Sequence, residues 1–138
     1  MRKLLIVIAL LFGAYSCFAS DALPADQMEA MIVGTWSEEY ELDGVRASAV
    51  SKYTSGHSVE QLGTFTAENL RVDYRLRARW SIQGDTLVTE VLESSHPELV
   101  AVGHVERDTI LSMTTDQWVY RDADGVEFTA KRVLGESP

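Results

Sequence analysis

The sequence contains a single cysteine, Cys17, among its 138 residues. One cysteine cannot form a disulfide within a chain, so the disulfide-stapled scaffolds of many small secreted proteins are excluded. Stability must instead come from a packed core, and a chain of this length can form one as a single domain.

Basic residues are scarce relative to acidic ones. The chain has 12 Lys and Arg against 21 Asp and Glu, a formal net charge of −9. An acidic surface repels phosphate, which argues against nucleic acid and anionic lipid headgroups as partners. It is compatible with a basic protein partner, although the same charge can serve solubility alone.

Long apolar runs are confined to the N-terminus, where residues 4–12 follow Arg2 and Lys3. The run is shorter than the roughly 20 residues that a membrane-spanning helix needs. A short basic region, an apolar stretch and small residues before a cut after Ala19 are typical of a secretory signal. The sequence therefore predicts a signal peptide at residues 1–19 and a periplasmic or secreted protein. Loss of Arg2 and Lys3 would reduce the 12 basic residues by 2, leaving a net charge of −11.

Cys17 permits an alternative, in which the chain is cut just before this residue and a lipid is attached to it. Such cysteines usually follow a leucine and two small residues. Here Tyr15 is bulky where a small or β-branched residue is expected. The sequence therefore favours a soluble protein over a lipid-anchored one, and it predicts no membrane span.

A short helix is predicted after the signal. Asp26 and Glu29 have the spacing of a capping box, with Asp26 as the N-cap. Apolar residues at helical spacing then predict a helix over residues 26–32. This helix belongs to a connecting segment, residues 20–33.

Strand-like segments separated by turn residues occupy the rest of the chain. The clearest segment, residues 70–82, alternates apolar with charged residues, which directs the apolar set inward and the arginines outward. The other predicted strands lie near residues 34–42, 45–54, 58–66, 86–94, 99–106, 108–114, 116–122 and 126–134.

Two hairpin registers follow from the turn residues. We expect a two-residue turn at residues 84–85 and a three-residue turn at residues 123–125. Bulky side chains then share the inner face of each hairpin, and opposite charges meet on the outer face. The predicted pairs include Trp80 with Thr89, Arg79 with Glu90, Trp118 with Ala130 and Tyr120 with Phe128.

Eight or nine neighbouring antiparallel strands would leave two unpaired edges unless the sheet closes on itself. The predicted fold is therefore all-β. It is an up-and-down antiparallel barrel of about eight strands over residues 34–134, with a short N-terminal helix and a tail at residues 135–138. A two-sheet sandwich is the competing architecture.

The start and the end of this predicted barrel resemble lipocalins. Gly34 and Trp36 form a Gly-x-Trp motif just after a short helix, at the start of the first strand. In lipocalins this tryptophan packs across the closed end, and an arginine late in the last strand covers its indole. Arg132 is at the matching position, and stacking of a guanidinium on an indole is favourable. The resemblance implies that Gly34, Trp36 and Arg132 close one end of a lipocalin-like barrel.

The chain is also similar to small exported bacterial lipocalin-like proteins. The shared features are a Gly-Thr-Phe strand at residues 63–65, a Trp-x-Ile-x-Gly-Asp-x-Leu hairpin at residues 80–87 and a closing hairpin at residues 120–125. The match extends over about residues 32–134. The chain is shorter than secreted animal lipocalins and lacks their disulfide and long C-terminal helix, which argues against a large cavity.

Five aromatic residues fall on strand faces that are predicted to point inward. They either fill a small barrel completely or line a pocket for one small apolar ligand, which an eight-stranded barrel can just hold. The small residues Ala47, Ala49 and Ser51 alternate on one strand and leave room for the second interpretation. The candidate ligand-binding residues are Tyr74, Trp80, Trp118, Tyr120 and Phe128.

No catalytic or metal-binding motif accompanies these aromatic residues. His57, His96 and His104 lack metal-ligand spacing, and no Gly-x-Ser-x-Gly elbow is present. The carboxylate pairs at 38–39 and 122–124 are unspecific. We therefore predict a binding protein with no catalytic residue, metal or cofactor. The alternative is an acidic module, of inhibitor or immunity type, that binds a basic enzyme of the cell envelope.

Overall fold

The computed structural model describes residues 23–134. The predicted signal peptide with its cleavage site, the alternative lipid anchor at Cys17 and the tail at residues 135–138 lie outside the described residues. Within them the chain forms one helix, α1 (Ala25–Ile32), and eight strands. The strands are β1 (Gly34–Leu42), β2 (Val45–Tyr53), β3 (Ser58–Ala67), β4 (Leu70–Gln83), β5 (Thr86–Ser94), β6 (Val105–Met113), β7 (Gln117–Arg121) and β8 (Glu127–Arg132).

The sheet is a closed up-and-down barrel in which each strand pairs antiparallel with the next. Pairing of β1 with β8, with Trp36 opposite Arg132, closes the sheet. The predicted all-β barrel is thus confirmed, and the two-sheet sandwich is excluded. None of the helices in residues 23–134 is long and apolar enough to cross a membrane.

Both predicted hairpin registers are confirmed. Trp80 lies opposite Thr89 across β4 and β5, and Tyr120 lies opposite Phe128 across β7 and β8. A slip of one residue would turn every inward side chain of a strand to solvent, so the inward pattern determines the register.

The predicted strand near residues 108–114 corresponds to β6, which begins three residues earlier. The predicted strand near residues 99–106 is wrong over most of its length. Residues 95–104 form a loop instead. The amides of Leu99 and Val100 both donate to the carbonyl oxygen of His96, at 2.9 and 3.0 Å, so the chain turns back on itself after Pro97. Gly103 adopts a positive φ of 88°, so the chain is not extended at this second point of the loop either.

The predicted N-cap of the helix is also wrong. The helix begins at Ala25, after Pro24, and no side chain caps it. The amide of Met28 donates to the carbonyl oxygen of Pro24 at 3.1 Å, so the N-cap is Pro24, two residues before the position that the capping box predicts. Asp26 therefore lies in the first turn, where its charge is favourable near the helix N-terminus.

The hydrophobic core occupies only one end of the barrel, the end that α1 covers. We call it the closed end. Its three tryptophans, Trp36, Trp80 and Trp118, are each 3% exposed or less. The core consists of these three residues together with Met28, Ile32, Tyr53, Val59, Ala78, Leu87, Ile110, Met113 and Ala130.

Candidate functional site

The closed end is held together by the three residues that the lipocalin resemblance singles out. The Arg132 guanidinium lies over the Trp36 indole, 4.2 Å from the ring centroid. Its Nη2 donates to the carbonyl oxygen of Met31 at 2.7 Å, and the Trp36 Nε1 donates to that of Ile32 at 2.7 Å. These bonds satisfy carbonyls at the C-terminus of α1 that have no partner within the helix.

Gly34 makes this arrangement possible for two reasons. Its φ is +134°, a conformation that other residues rarely adopt. A Cβ at this position would also overlap the guanidinium of Arg132. The glycine of the Gly-x-Trp motif is therefore required by the arginine that covers the tryptophan.

The opposite half of the barrel is hollow. It contains a cavity of about 580 Å³ that is open to solvent and extends from Trp118 to residues 97–101 of the β5–β6 loop. This volume is within the range of roughly 300–1,000 Å³ that is usual for small-molecule sites. Tyr53 and Trp118 of the core border the cavity, and we call its other Tyr and Phe side chains the cavity wall: Tyr40, Phe65, Tyr74, Tyr120 and Phe128.

Four of the five candidate ligand-binding residues line this cavity, namely Tyr74, Trp118, Tyr120 and Phe128. The structure places Trp80 elsewhere, in the core of the closed end. Its Nε1 donates to the carbonyl oxygen of Ser58 at 3.1 Å, and its ring contacts Tyr53 edge-on at 5.9 Å. The inward aromatic residues therefore fill the barrel at the closed end and line a cavity in the other half.

The rings of the cavity wall are held by one another. Phe65 and Tyr74 stack at 4.8 Å between centroids, and Tyr120 and Phe128 stack at 5.3 Å. The Tyr74 hydroxyl donates to Gln61 at 3.3 Å. These contacts hold the rings of the cavity wall in fixed positions.

Gly63 allows Tyr74 to lie where it does. The two residues are directly opposite on β3 and β4, and a Cβ on Gly63 would overlap the tyrosine ring. The Gly-Thr-Phe strand of the sequence resemblance thus contributes both the space for Tyr74 and, in Phe65, the ring that stacks on it.

Two carboxyl groups, Glu38 and Asp108, form what we call the cavity floor. Along β1, Glu38 lies between Trp36 of the closed end and Tyr40 of the cavity wall. Along β6, Asp108 lies two residues before Ile110 of the core, so both side chains point inward. Both residues line the cavity.

The environment of the floor disfavours negative charge. Burial raises the pKa of Glu38 to about 7, although the Tyr120 hydroxyl, which donates to its Oε2 at 3.0 Å, acts in the opposite direction. The pKa of Asp108 is raised to about 7, first by burial and then by the negative charges of Glu106, Glu38 and Asp122. Both groups can therefore gain or lose a proton near neutral pH.

Asp108 is the less solvent-exposed of the two. Only 9% of this residue is exposed, and its Oδ1 accepts no hydrogen bond from any residue between 23 and 134. A buried polar atom without a partner is costly and uncommon in proteins.

The sequence contained a signal for the floor that motif searching missed. Alternation along β1 places Glu38 on the same inward face as Trp36 and Tyr40, whereas Glu39 is exposed. An ionisable residue on an inward face is unusual and indicates function. The candidate ligand-binding residues predicted from the sequence were all aromatic, so Glu38 and Asp108 were not among them.

The three histidines do not contribute to a shared site. Each is near one glutamate: His57 with Glu29 at 3.3 Å, His96 with Glu98 at 2.9 Å and His104 with Glu106 at 2.8 Å. Among residues 23–134, no group of three or more His, Cys, Asp or Glu side chains is arranged to hold a metal ion.

The architecture, a closed eight-stranded antiparallel barrel with one short helix, is compatible with a lipocalin-like fold. A comparison of the chain with models of known protein families found no match, and a comparison with curated proteins found none either. The argument for function therefore depends on the cavity itself.

Proposed function

We propose that this chain is an exported, lipocalin-like binding protein that holds one small molecule in its barrel. The observation that carries the proposal is the cavity of about 580 Å³, whose aromatic wall is ordered by stacking between its own rings. Aromatic walls favour a ligand with an apolar body, because the large faces of the rings bury apolar surface well.

Binding can be tested with N-phenyl-1-naphthylamine, an uncharged fluorescent probe with an apolar body. We expect its emission to rise on titration to one equivalent, the melting temperature to increase and the fluorescence of Trp118 to be quenched. Trp118 lines the cavity, whereas Trp36 and Trp80 lie in the packed closed end.

A matched pair of variants on β2 makes this test specific for the cavity. Ala49 lines the cavity, so Ala49→Phe would fill it. Val50, the next residue, is 44% exposed, so Val50→Phe adds the same ring to the outside of the barrel. The proposal requires that A49F loses probe binding and V50F retains it. Equal binding by both variants would show that the probe binds elsewhere.

Export is a separate part of the proposal. We expect the mature protein, purified from its own cell envelope, to begin at Ser20, as determined by intact mass. A mass that corresponds to a lipidated Cys17 at the N-terminus would support the lipid-anchored alternative instead.

Native mass spectrometry of the same preparation would show what accompanies the protein. Retention of a small molecule through a high-salt wash supports the cavity as the binding site. A second protein that is present at low salt and absent at high salt would instead support the acidic protein-binding module, because salt screens the attraction between charged surfaces.

A further inference from the structure

We propose that the ligand of this cavity is a small organic cation, an amine whose ammonium group is bound at the cavity floor by Asp108 and Glu38. The inference rests on the proposed function, because it specifies the ligand class of the same cavity. It depends on three independent observations: an unpaired buried oxygen, an excess of negative charge inside the barrel and the aromatic cavity wall.

The first observation is the Oδ1 of Asp108. This atom is buried, it belongs to a residue that lines the cavity, and it has no hydrogen-bond partner among the described residues. It needs a donor, and an ammonium group combines a donor with a compensating positive charge. The other buried polar atom without a partner is Nε1 of Trp118, a residue that also lines the cavity. An amine that also carries a hydroxyl or carbonyl oxygen could accept from it.

The second observation is the distribution of charge across the barrel wall. Within the described part of the chain, no Lys or Arg lines the cavity, whereas its lining includes five carboxyl groups: Glu38, Glu98, Glu106, Asp108 and Asp122. The arginines of β4 lie on the outside and pair there with other acids. Arg79 contacts Glu90 at 2.7 Å, and Arg77 contacts Glu93 at 3.5 Å. Glu98 and Glu106 lie beside His96 and His104, at 2.9 and 2.8 Å. Among the described residues, no ion pair compensates the other three carboxyl groups, which include both groups of the floor.

The third observation is the cavity wall. The electron-rich faces of aromatic rings attract cations, and rings that surround a pocket are a known means of binding ammonium groups. Tyr120 links the wall to the floor, because its ring stacks on Phe128 and its hydroxyl donates to Glu38. An ammonium group at the floor would therefore have carboxylate oxygens and aromatic faces within one site.

The pH dependence of binding distinguishes a cationic ligand from other ligands, because it depends on the protonation of the two floor carboxyl groups. With raised pKa values, Glu38 and Asp108 are partly protonated in the empty cavity at neutral pH. A cation binds the ionised carboxylates, so its binding should release protons and strengthen as the pH rises from 6 to 8. A carboxylate ligand needs the protonated form and should weaken over the same range. The titratable groups around the floor are Tyr40, Tyr53, Tyr74, His104, Glu106, Tyr120 and Asp122.

The test uses three probes that share one apolar body: 2-phenylethylammonium, 2-phenylethanol and 3-phenylpropanoate. Isothermal titration calorimetry at pH 8 should rank the ammonium probe first, by about 10-fold or more over the alcohol, with the carboxylate weakest. At pH 6 the advantage of the ammonium probe should shrink. Titrations in buffers of different ionisation enthalpy should show proton release at pH 7.

Substitutions at the floor test whether its two carboxyl groups cause the preference for the ammonium probe. Asp108→Asn and Glu38→Gln keep the shape of each side chain and remove its charge, so each should abolish most of the ammonium preference while the alcohol still binds. Glu39→Gln removes the neighbouring exposed carboxylate and should leave the preference unchanged. Thermal unfolding of each variant shows that it is folded.

The outcomes separate this inference from the proposed function. If N-phenyl-1-naphthylamine binds in an Ala49→Phe-sensitive manner but the ammonium probe binds no better than the alcohol, the cavity is a binding site and the cation inference is wrong. The same conclusion follows if D108N and E38Q retain the full preference. If no probe binds in the cavity, the proposed function itself fails.

Discussion

The two halves of this barrel are built from the same eight strands and the same inward alternation. They differ in how far their buried polar groups are hydrogen-bonded. At the closed end, the indole nitrogens of Trp36 and Trp80 donate to backbone carbonyls, and Arg132 satisfies the end of α1. In the hollow half, two carboxyl groups are half-buried or buried, and one oxygen of Asp108 lacks a partner.

This difference shows that an inward-facing residue is not necessarily a core residue. The closed end resembles an ordinary protein interior, in which side chains are packed and most polar atoms are paired. Its exception is Nε1 of Trp118, a core residue that also lines the cavity. The hollow half is neither closely packed nor fully hydrogen-bonded, and both departures occur at the cavity beside Asp108. Departures from these rules are expected at functional sites, which agrees with the binding function proposed above.

The largest expected effect concerns packing. Trp36→Ala removes a fully buried indole and should lower the free energy of unfolding by about 3–5 kcal/mol. Phe128→Ala removes a partly exposed ring of the cavity wall and should cost less than half as much. Urea denaturation measures both values. Equal losses would mean that the two halves are packed alike.

The next effect concerns the backbone of the Gly-x-Trp motif. Gly34→Ala forces a residue with a side chain into φ +134° against Arg132, and we expect a loss of about 2–3 kcal/mol. Gly44→Ala is the control, since Gly44 also has a positive φ, of 79°, but has open space around it. The loss for G34A should exceed that for G44A, and the excess measures the close approach of the arginine.

The third prediction concerns the charge at the floor of the empty cavity. The folded-state pKa of Asp108, about 7, lies above the ordinary value of 3.8, so between these values the folded protein retains a proton that the unfolded chain has lost. The contribution of Asp108 to stability therefore declines as the pH rises through this window and is unfavourable above pH 7.

Asp108→Asn removes this pH dependence. At pH 8 the variant should be more stable than the unmodified protein, by on the order of 2 kcal/mol, whereas below pH 4 the two should be similar. Asp116→Asn, at an exposed position, is the control and should not show this difference. Thermal unfolding across pH 4–8 measures it, and a parallel pH dependence for both proteins would contradict a buried, ionising Asp108.

The smallest expected effect is on the outer face. Arg79 and Glu90 form the closest ion pair of the β4–β5 hairpin, at 2.7 Å, but the Arg79 side chain is 65% exposed. Surface ion pairs contribute little because water and salt screen them. Arg79→Gln should change the free energy of unfolding by about 0.5 kcal/mol or less. A loss comparable to that of G34A would show that the outer charges help to hold the barrel closed.

Part of the fold and of the site could be predicted from particular residues. The turn at Gly84 and Asp85 and the charges of Arg79 and Glu90 were sufficient for the register of β4 with β5. The loop at residues 95–104 was mistaken for a strand, because its apolar residues suggest one while its hydrogen bonds to His96 are invisible in a sequence.

The inward direction of the aromatic side chains could be predicted from the sequence, but their position along the barrel axis could not. Trp80 and Trp118 alternate inward in the same way, yet only Trp118 reaches the cavity. Glu38 and Asp108 are 70 positions apart by residue number, and no local pattern relates them. They share the floor because the closed sheet brings the middle of β1 and the middle of β6 to the same interior.

The amino-acid sequence alone determined which side chains face inward, how the hairpins pair and which residues close one end, because alternation and turn geometry are properties of neighbouring residues. Only the tertiary structure decided which inward side chains pack and which line a cavity. The position of a residue along the barrel axis depends on the tilt and stagger of all eight strands together, and no single strand contains that information.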